Sequence, residues 1–186
     1  MKESNFLFIR LFILALLGCF SAHAQGDYRF HNYTISNGLS QSYVTTIVQD
    51  NTNTLWIGTQ DGLNRFDGKS FEIFTPDKSL GIGSTNFKCS IKTKDGRLWF
   101  GTASGLLLFD PNSENFETFN ISSQILLQVE NISEDIYGDL WLSTIGYGVV
   151  KFNTKTLKFS EIQVALPTKK IHSVTCLEYG LSLIHI

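Results

Sequence analysis

The sequence predicts an all-β protein assembled from repeated four-stranded sheets. Three tryptophans, Trp56, Trp99 and Trp141, are spaced by 43 and 42 residues, and each follows a leucine and precedes a threonine by three residues. Each repeat also holds four short runs rich in β-branched and aromatic residues, separated by polar turns that contain Gly or Asn. A fixed period of about 40–45 residues is the length of one propeller blade of four strands.

The first 24 residues predict a secretory signal peptide. A basic start precedes the short apolar run LFILALLGCF, and Ala22-His23-Ala24 offers a cleavage site, so we expect the mature chain to begin near Gln25. A lipoprotein signal that ends at Cys19 and an uncleaved anchor are the alternatives. An exported chain would lie in the periplasm or outside the cell.

The segment 25–180 is predicted to be a partial β-propeller. It holds an outer strand, three blades and the start of a fourth blade, expected in that order at 28–34, about 43–75, 87–120 and 128–162, and 171–179. The outer strand would complete the last blade of a closed ring. Because propellers close with about four to eight blades, the sequence predicts an incomplete propeller that packs against the remaining blades of a longer parent chain.

The last six residues, LSLIHI at 181–186, are predicted to be a non-native tail. They resemble one translated reading frame of a transposase-end adapter that is used in DNA library preparation. We therefore expect the natural reading frame to be interrupted near Gly180, and we leave the hexapeptide out of the predicted fold.

Residues that recur in every repeat are predicted to form the core. Sheets in a propeller are buried on both faces, so their central strands read as continuous apolar runs. A small residue two positions after each Trp would let the next sheet approach closely. The predicted repeat core comprises Trp56, Trp99, Trp141, Gly58, Gly101, Thr59, Thr102, Thr144, Phe66, Phe109 and Phe152.

A ligand site is predicted on the face where two sets of loops meet. These loops enter the inner strands or join the second strand of a blade to the third. Sugars are bound by flat aromatic rings together with amide and carboxylate groups. Five loop residues have this chemistry, although solvated turns would look the same: Tyr43, Gln60, Asp61, Asn86 and Tyr147.

The sequence contains no catalytic or metal-binding pattern. The net charge of −2 argues against electrostatic binding of nucleic acid. Outside the signal and the tail, His31 and His172 have no Cys, Asp or His at metal-ligand spacing. No phosphate loop, nucleophile elbow or kinase motif occurs. We therefore expect no cofactor, no metal and no enzymatic activity from the residues present.

The stretch NGLSQSYVTTIVQDNTNTLWIGTQDGLNRFDGKSFEIFT resembles the two-component regulator propeller repeat. The GLS turn, an acidic residue six positions before Trp, the W-x-G-T core and the G-L-x-x-F-D strand occur in order. Asp50 and Asp135 are the acidic residues. Departures from the pattern are Thr93 in place of the acid, Ser143 in place of Gly and Asn153 in place of Asp.

The resemblance implies a large periplasmic sensor that is anchored in the inner membrane and acts as a homodimer. In such proteins propellers, a β-sandwich and a membrane span precede a histidine kinase, with further output domains in hybrid versions. The family detects oligosaccharides, so the resemblance implies a small-molecule ligand of that class. The alternatives are a propeller enzyme of the lyase or glycosidase kind, and a propeller for protein interaction.

Overall fold

The structure, a computed structural model, describes residues 30–76, 81–111, 113–121, 126–161, 172–177 and 180–184. The chain divides into two units, Met1–Asn32 and Tyr33–Ile186, and the architecture below is that of the second unit. The predicted signal peptide lies outside the described residues and stays a prediction.

Three four-stranded antiparallel sheets follow one another along the chain, and each is built from consecutive strands. They are blade 1 (β1–β4), blade 2 (β5–β8) and blade 3 (β9–β12); β13 and β14 pair as a two-stranded sheet. The predicted all-β propeller architecture is confirmed. The strands are Val44–Gln49 (β1), Leu55–Thr59 (β2), Leu63–Phe66 (β3), Phe71–Phe74 (β4), Phe87–Lys92 (β5), Leu98–Thr102 (β6), Gly105–Asp110 (β7), Asn115–Phe119 (β8), Gln128–Glu134 (β9), Leu140–Ile145 (β10), Gly148–Asn153 (β11), Lys158–Glu161 (β12), Ser173–Leu177 (β13) and Gly180–Ile184 (β14).

The repeated threonine closes the same hairpin in every blade. The second strand of each blade ends in this residue, and its buried hydroxyl donates to the carbonyl of the glycine that ends the turn. The three bonds are Thr59 to Gly62 at 3.0 Å, Thr102 to Gly105 at 2.8 Å and Thr144 to Gly148 at 2.8 Å. Since the bond needs a short hydroxyl at this position, the spacing of Trp and Thr reflects turn geometry.

Aromatic side chains fill the space between successive blades. The ring of Trp56 in blade 1 lies 4.4 Å from that of Phe109 in blade 2. In the same way the ring of Trp99 lies 5.4 Å from that of Phe152 in blade 3, at an edge-to-face angle of 66°. All four residues are buried. Trp56 and Trp99 therefore each pack between two sheets, and the burial of such rings dominates the stability of a core.

Two glycines allow the blades to approach closely. A Cβ atom added to Gly58 would lie 2.8 Å from Cβ of Phe87 in the next blade. A Cβ added to Gly101 would lie 2.8 Å from Cγ1 of Val129 in blade 3 and would overlap the sulfur of Cys89. Both distances are shorter than real carbon contacts, so these positions exclude any side chain. Gly58 and Gly101 therefore let neighbouring sheets approach one another closely.

One member of the predicted core is less buried than expected. Trp141 is half-buried, whereas Trp56 and Trp99 are 1% and 0% exposed. The difference follows from the neighbouring sheet, because Trp141 faces the two-stranded sheet and not a full blade. The other predicted core residues are buried, namely Gly58, Gly101, Thr59, Thr102, Thr144, Phe66, Phe109 and Phe152.

The predicted outer strand at 28–34 is not formed over its described residues, and its pairing with the last blade of a closed ring stays a prediction. Residues 30–34 form no strand, and a short 3-10 turn follows at Ile35–Asn37. The third strands β3, β7 and β11 are each paired with a fourth strand of their own, as expected if 28–34 pairs with a different blade. Tyr33 packs edge-to-face on Phe66 instead, with ring centroids 5.0 Å apart.

The fourth sheet begins beside the inner strand of blade 3. The backbone N–H of Val174 in β13 donates to Asn131 Oδ1 at 3.2 Å, and that of Cys176 donates to Ser133 Oγ at 2.9 Å. Strand β14 includes most of the hexapeptide that we left out of the predicted fold. Pairing with β13 does not test the origin of those residues, so the non-native tail stays a prediction.

Candidate ligand-binding face

The five residues of the predicted ligand site lie at the same end of the blades, which we call the upper face. Val44 at the start of β1 pairs with Thr59 at the end of β2. The loop that enters β1 and the turn between β2 and β3 are therefore neighbours. The other blades repeat this register. Tyr43 and Asn86 precede β1 and β5, Gln60 and Asp61 lie in the β2–β3 turn, and Tyr147 lies in the β10–β11 turn.

Four of these residues are presented to solvent. The side chains of Tyr43 and Tyr147 are 65% and 42% exposed, and Gln60 and Asp61 are also exposed. The backbone N–H of Asp61 donates to Thr59 Oγ1 at 3.1 Å, which holds the turn in place. The upper face thus combines aromatic rings with amide and carboxylate groups.

Asn86 is held differently from the other four. It is half-buried, its backbone N–H donates to Ser84 Oγ at 3.1 Å, and its carbonyl accepts from the N–H of Ala103 at 3.0 Å. Its side-chain Oδ1 is buried and has no hydrogen-bond partner among the described residues. Because an unmet buried acceptor is costly, this fixed amide oxygen is suited to accept a hydrogen bond from a ligand.

The inner strands share an irregularity that sequence reasoning missed. The register of β1 against β2 shifts between Val44 and Thr46, and that of β5 against β6 shifts between Phe87 and Cys89. Strand β9 shows the same shift beside Val129. One residue at each place, Thr45, Lys88 or Glu130, opposes no residue of the neighbouring strand. Such bulges re-aim side chains and occur often beside functional sites.

The bulge turns its flanking residues to opposite faces of the blade. Phe87 packs in the core shared with blade 1, whereas Cys89 packs in the core shared with blade 3. In a regular strand residues two apart point to the same face. Lys88, which lies between them on the first strand of the blade, opposes no residue of β6. A charged residue inside a strand predicted to be buried on both faces was the available sequence signal.

A second concavity lies at the opposite end of blades 1 and 2, which we call the lower face. This cleft of about 340 Å³ is lined by Asp50, Trp56, Arg65, Glu72 and Glu114, among others. Arg65 pairs with Glu72 at 2.5 Å and with Glu114 at 3.3 Å, and the Trp56 indole donates to Asp50 at 3.0 Å. Since these groups satisfy one another, the cleft is a seam between blades.

Reactive groups are scarce in the part of the chain that the structure describes. Burial raises the pKa of the Cys89 thiol to about 12, so the thiolate that would act as nucleophile is not populated near neutral pH. Within the described ranges no group of three or more His, Cys, Asp or Glu side chains could hold a metal ion. Nor do these ranges contain a helix that is long and apolar enough to cross a membrane.

Comparison with known proteins identifies the repeat. Residues 38–61 and 81–104 match the family described as two component regulator propeller. The matches cover the approach to the inner strand and the first two strands in blades 1 and 2. Both segments are therefore similar to two component regulator propeller repeats.

A histidine kinase, the extracellular domain of a two component system and a lyase are among the proteins similar to this chain. A stretch of 58 residues is 47% identical to histidine kinase P4 of Formosa agariphila. The extracellular domain of the hybrid two component system BT3049 from B. thetaiotaomicron is 25% identical over 83% of this chain, with a TM-score of 0.72. Virginiamycin B lyase from Staphylococcus aureus is 15% identical over 78% of the chain, with a TM-score of 0.60. At that identity the likeness shows the fold alone.

The chain is short compared with these relatives. The matched stretch covers 30% of this chain and 4% of the histidine kinase, and the chain spans 25% of the extracellular domain of BT3049. It spans 50% of the lyase. An activity of one of those whole proteins is therefore a proposal when it is applied to this chain.

Proposed function

We propose that this chain is the propeller part of an extracytoplasmic sensor, in a two-component protein that carries a histidine kinase further along the parent chain. The similarity to the extracellular domain of a hybrid two component system, over 83% of this chain, is the observation that carries the proposal. The repeat supplies a rigid scaffold, and function on such scaffolds resides in the loops.

We further propose that the ligand is an oligosaccharide and that it binds on the upper face. A sugar ring offers an apolar face and a rim of hydroxyl groups. The exposed rings of Tyr43 and Tyr147 suit the apolar face, and the polar groups of Gln60, Asp61 and Asn86 suit the rim. The parent sensor would be periplasmic, anchored in the inner membrane by a later span and dimeric.

Binding is tested on the secreted region of the gene that carries this segment. We expect calorimetry against a panel of oligosaccharides to give saturable heat, and Asp61→Ala and Tyr147→Ala to weaken it. Tyr137→Ala is the matched control, because this tyrosine is 73% exposed but lies in the β9–β10 turn on the lower face. Equal affinity in all three variants would remove the upper-face turns from the site. No heat from any oligosaccharide would reject this ligand class.

The signalling part has a separate test. Sequencing the gene downstream of this segment should reveal a membrane span followed by histidine kinase motifs. A downstream region with neither feature would reject the two-component assignment while leaving the binding result intact.

A further inference from the structure

The bulged positions of the inner strands form one level of polar side chains around the innermost edge of the blades. The first strands β1, β5 and β9 are neighbours in space, and a threonine hydroxyl bridges β1 and β5. The Thr45 hydroxyl lies 2.9 Å from the carbonyl oxygen of Gly58 and 2.8 Å from that of Phe87 in β5. Thr45, Lys88 and Glu130 are the three bulged residues, and all are half-buried.

These three equivalent residues differ in whether their polar groups are satisfied. Thr45 holds two strands together through its hydroxyl, and Glu130 accepts a bond from Gln128 Nε2 at 2.9 Å. Lys88 makes no hydrogen bond or ion pair with any residue that the structure describes. The position therefore holds a charge that the described scaffold does not use.

The residues two positions earlier complete the chemistry. Tyr43, Asn86 and Gln128 occupy equivalent places just before the bulges. Tyr43 offers an exposed ring, and Asn86 offers the unpartnered acceptor Oδ1. The inner edge at the upper face thus presents a cation at Lys88, two acceptors at Asn86 and Glu130, and one aromatic face.

From this arrangement we propose that Lys88 is the specificity-determining residue of the sensor and selects an acidic oligosaccharide, one that carries a uronate carboxylate. The ammonium group donates to the sugar carboxylate, Asn86 and Glu130 accept from its hydroxyl groups, and Tyr43 stacks on the ring. The charge-assisted bond is the strongest of these contacts. The proposal rests on the proposed oligosaccharide-sensing function and names the ligand class for that same face.

The test compares an acidic probe with a neutral one on the secreted region of the gene. Calorimetry with tri-galacturonate and with galactotriose is run on the native protein, Lys88→Ala, Lys88→Gln and Lys92→Ala. Lys92 is the matched control, since it lies on the same strand but is exposed and beyond the bulge. Loss of one charge-assisted bond corresponds to about a ten- to hundredfold weaker affinity.

We expect the native protein to bind tri-galacturonate in preference to galactotriose. Both Lys88 variants should lose that preference at an unchanged melting temperature, while Lys92→Ala should keep it. Preferential binding of the neutral probe would overturn the inference and leave oligosaccharide sensing in place. Binding of the acidic probe that survives both Lys88 variants would also overturn it. Failure of both probes, together with failure of every sugar in the wider panel, would reject the sensing function itself.

Discussion

Blades 1 and 3 hold their central tryptophan by one device, and blade 2 holds it by another. In blade 1 the Trp56 indole donates to Asp50 Oδ2 at 3.0 Å, and the other oxygen of this carboxylate accepts from the backbone of Thr52 and Thr54. In blade 3 Asp135 accepts the equivalent bonds, from the Trp141 indole and from the backbone N–H groups of Tyr137 and Asp139. The carboxylate therefore couples the β1–β2 or β9–β10 turn to the core.

Blade 2 divides these tasks among several residues. Thr93 stands where the acid would be, and its hydroxyl bonds to Asp95 at 2.6 Å and to the carbonyl of Arg97 at 3.0 Å. The Trp99 Nε1 atom is buried and has no partner among the described residues. The guanidinium of Arg97 lies 5.4 Å from the centre of its ring. Packing between two complete blades therefore holds Trp99 in place without a carboxylate.

The largest expected effect is the loss of the packed ring. Trp99→Ala removes a side chain that is 0% exposed, and truncation of a buried Trp costs about 3–5 kcal/mol. Trp141→Ala should cost less, because Trp141 is half-buried beside the two-stranded sheet. Urea unfolding of both variants gives the two free energies. A greater loss for Trp141→Ala would contradict the view that packing dominates in blade 2.

Removing the carboxylate should be the next largest effect. Asp50→Ala leaves the Trp56 indole and two backbone N–H groups without their acceptor, at a cost of about 1–3 kcal/mol. Thr93→Ala removes only the hydroxyl bonds to Asp95 and Arg97 and should cost less. The matched pair is measured in the same urea experiment. Equal losses would mean that the acid is not the anchor of its blade.

A finer test removes only the indole N–H. Trp56→Phe removes the hydrogen bond to Asp50 and leaves Oδ2 of that carboxylate without its indole donor. Trp99→Phe removes a donor that has no described partner. We expect Trp56→Phe to be the more destabilising by about 1 kcal/mol. Each variant is compared with its parent by thermal and urea unfolding. A larger loss for Trp99→Phe would show that its N–H does make a stabilising bond.

The smallest expected effect is on the pH dependence of stability. Burial alone would raise the pKa of Asp50, but hydrogen bonds from Trp56, Thr52 and Thr54 outweigh it, and the pKa lies below the ordinary 3.8. Asp135 is shifted in the same direction. A carboxylate with a lowered pKa stabilises the fold above its ordinary pKa, and this contribution disappears as the pH falls through the folded value.

Melting temperatures between pH 7 and pH 2.5 measure this contribution. We expect Asp50→Asn and Asp135→Asn to flatten the acid limb of the profile, because the amide keeps an acceptor but loses the charge. Thr93→Val should leave the limb unchanged. An acid limb of the same steepness in both Asn variants would assign the loss of stability to other carboxylates.

The sequence was sufficient to predict the scaffold but not the arrangement of the inner edge. The recurrence of Trp56, its following Gly58 and Thr59 at a fixed period predicted strands, hairpins and close sheet contact, because each of these features is local and repeats. The bulge at Lys88 depends on the register between two strands, which no periodic pattern records. The predicted residues Gln60 and Asp61 are exposed on the upper face, and their role in binding stays a prediction.

Errors arose where a residue's neighbours were not available from the sequence. The segment 28–34 resembles the outer strand of a blade, and because its expected partner is the last blade of the ring, its pairing stays a prediction. Trp141 repeats the pattern of Trp99, and its exposure is decided by the sheet on its far side. Thr93 is a departure from the motif that the sequence shows. The loss of a hydrogen-bond acceptor for the Trp99 indole is visible only in the structure.

The close approach at Gly58 and Gly101 has a consequence for curvature. These residues lie on the second strands, close to the innermost edge, whereas bulky rings such as Phe74 and Phe116 lie on the fourth strands. Successive sheets therefore lie closer together near their inner strands than at their outer strands. The angle between neighbours is set by this gradient of side-chain volume. Adding volume at either glycine would splay the inner edge and straighten the stack of blades.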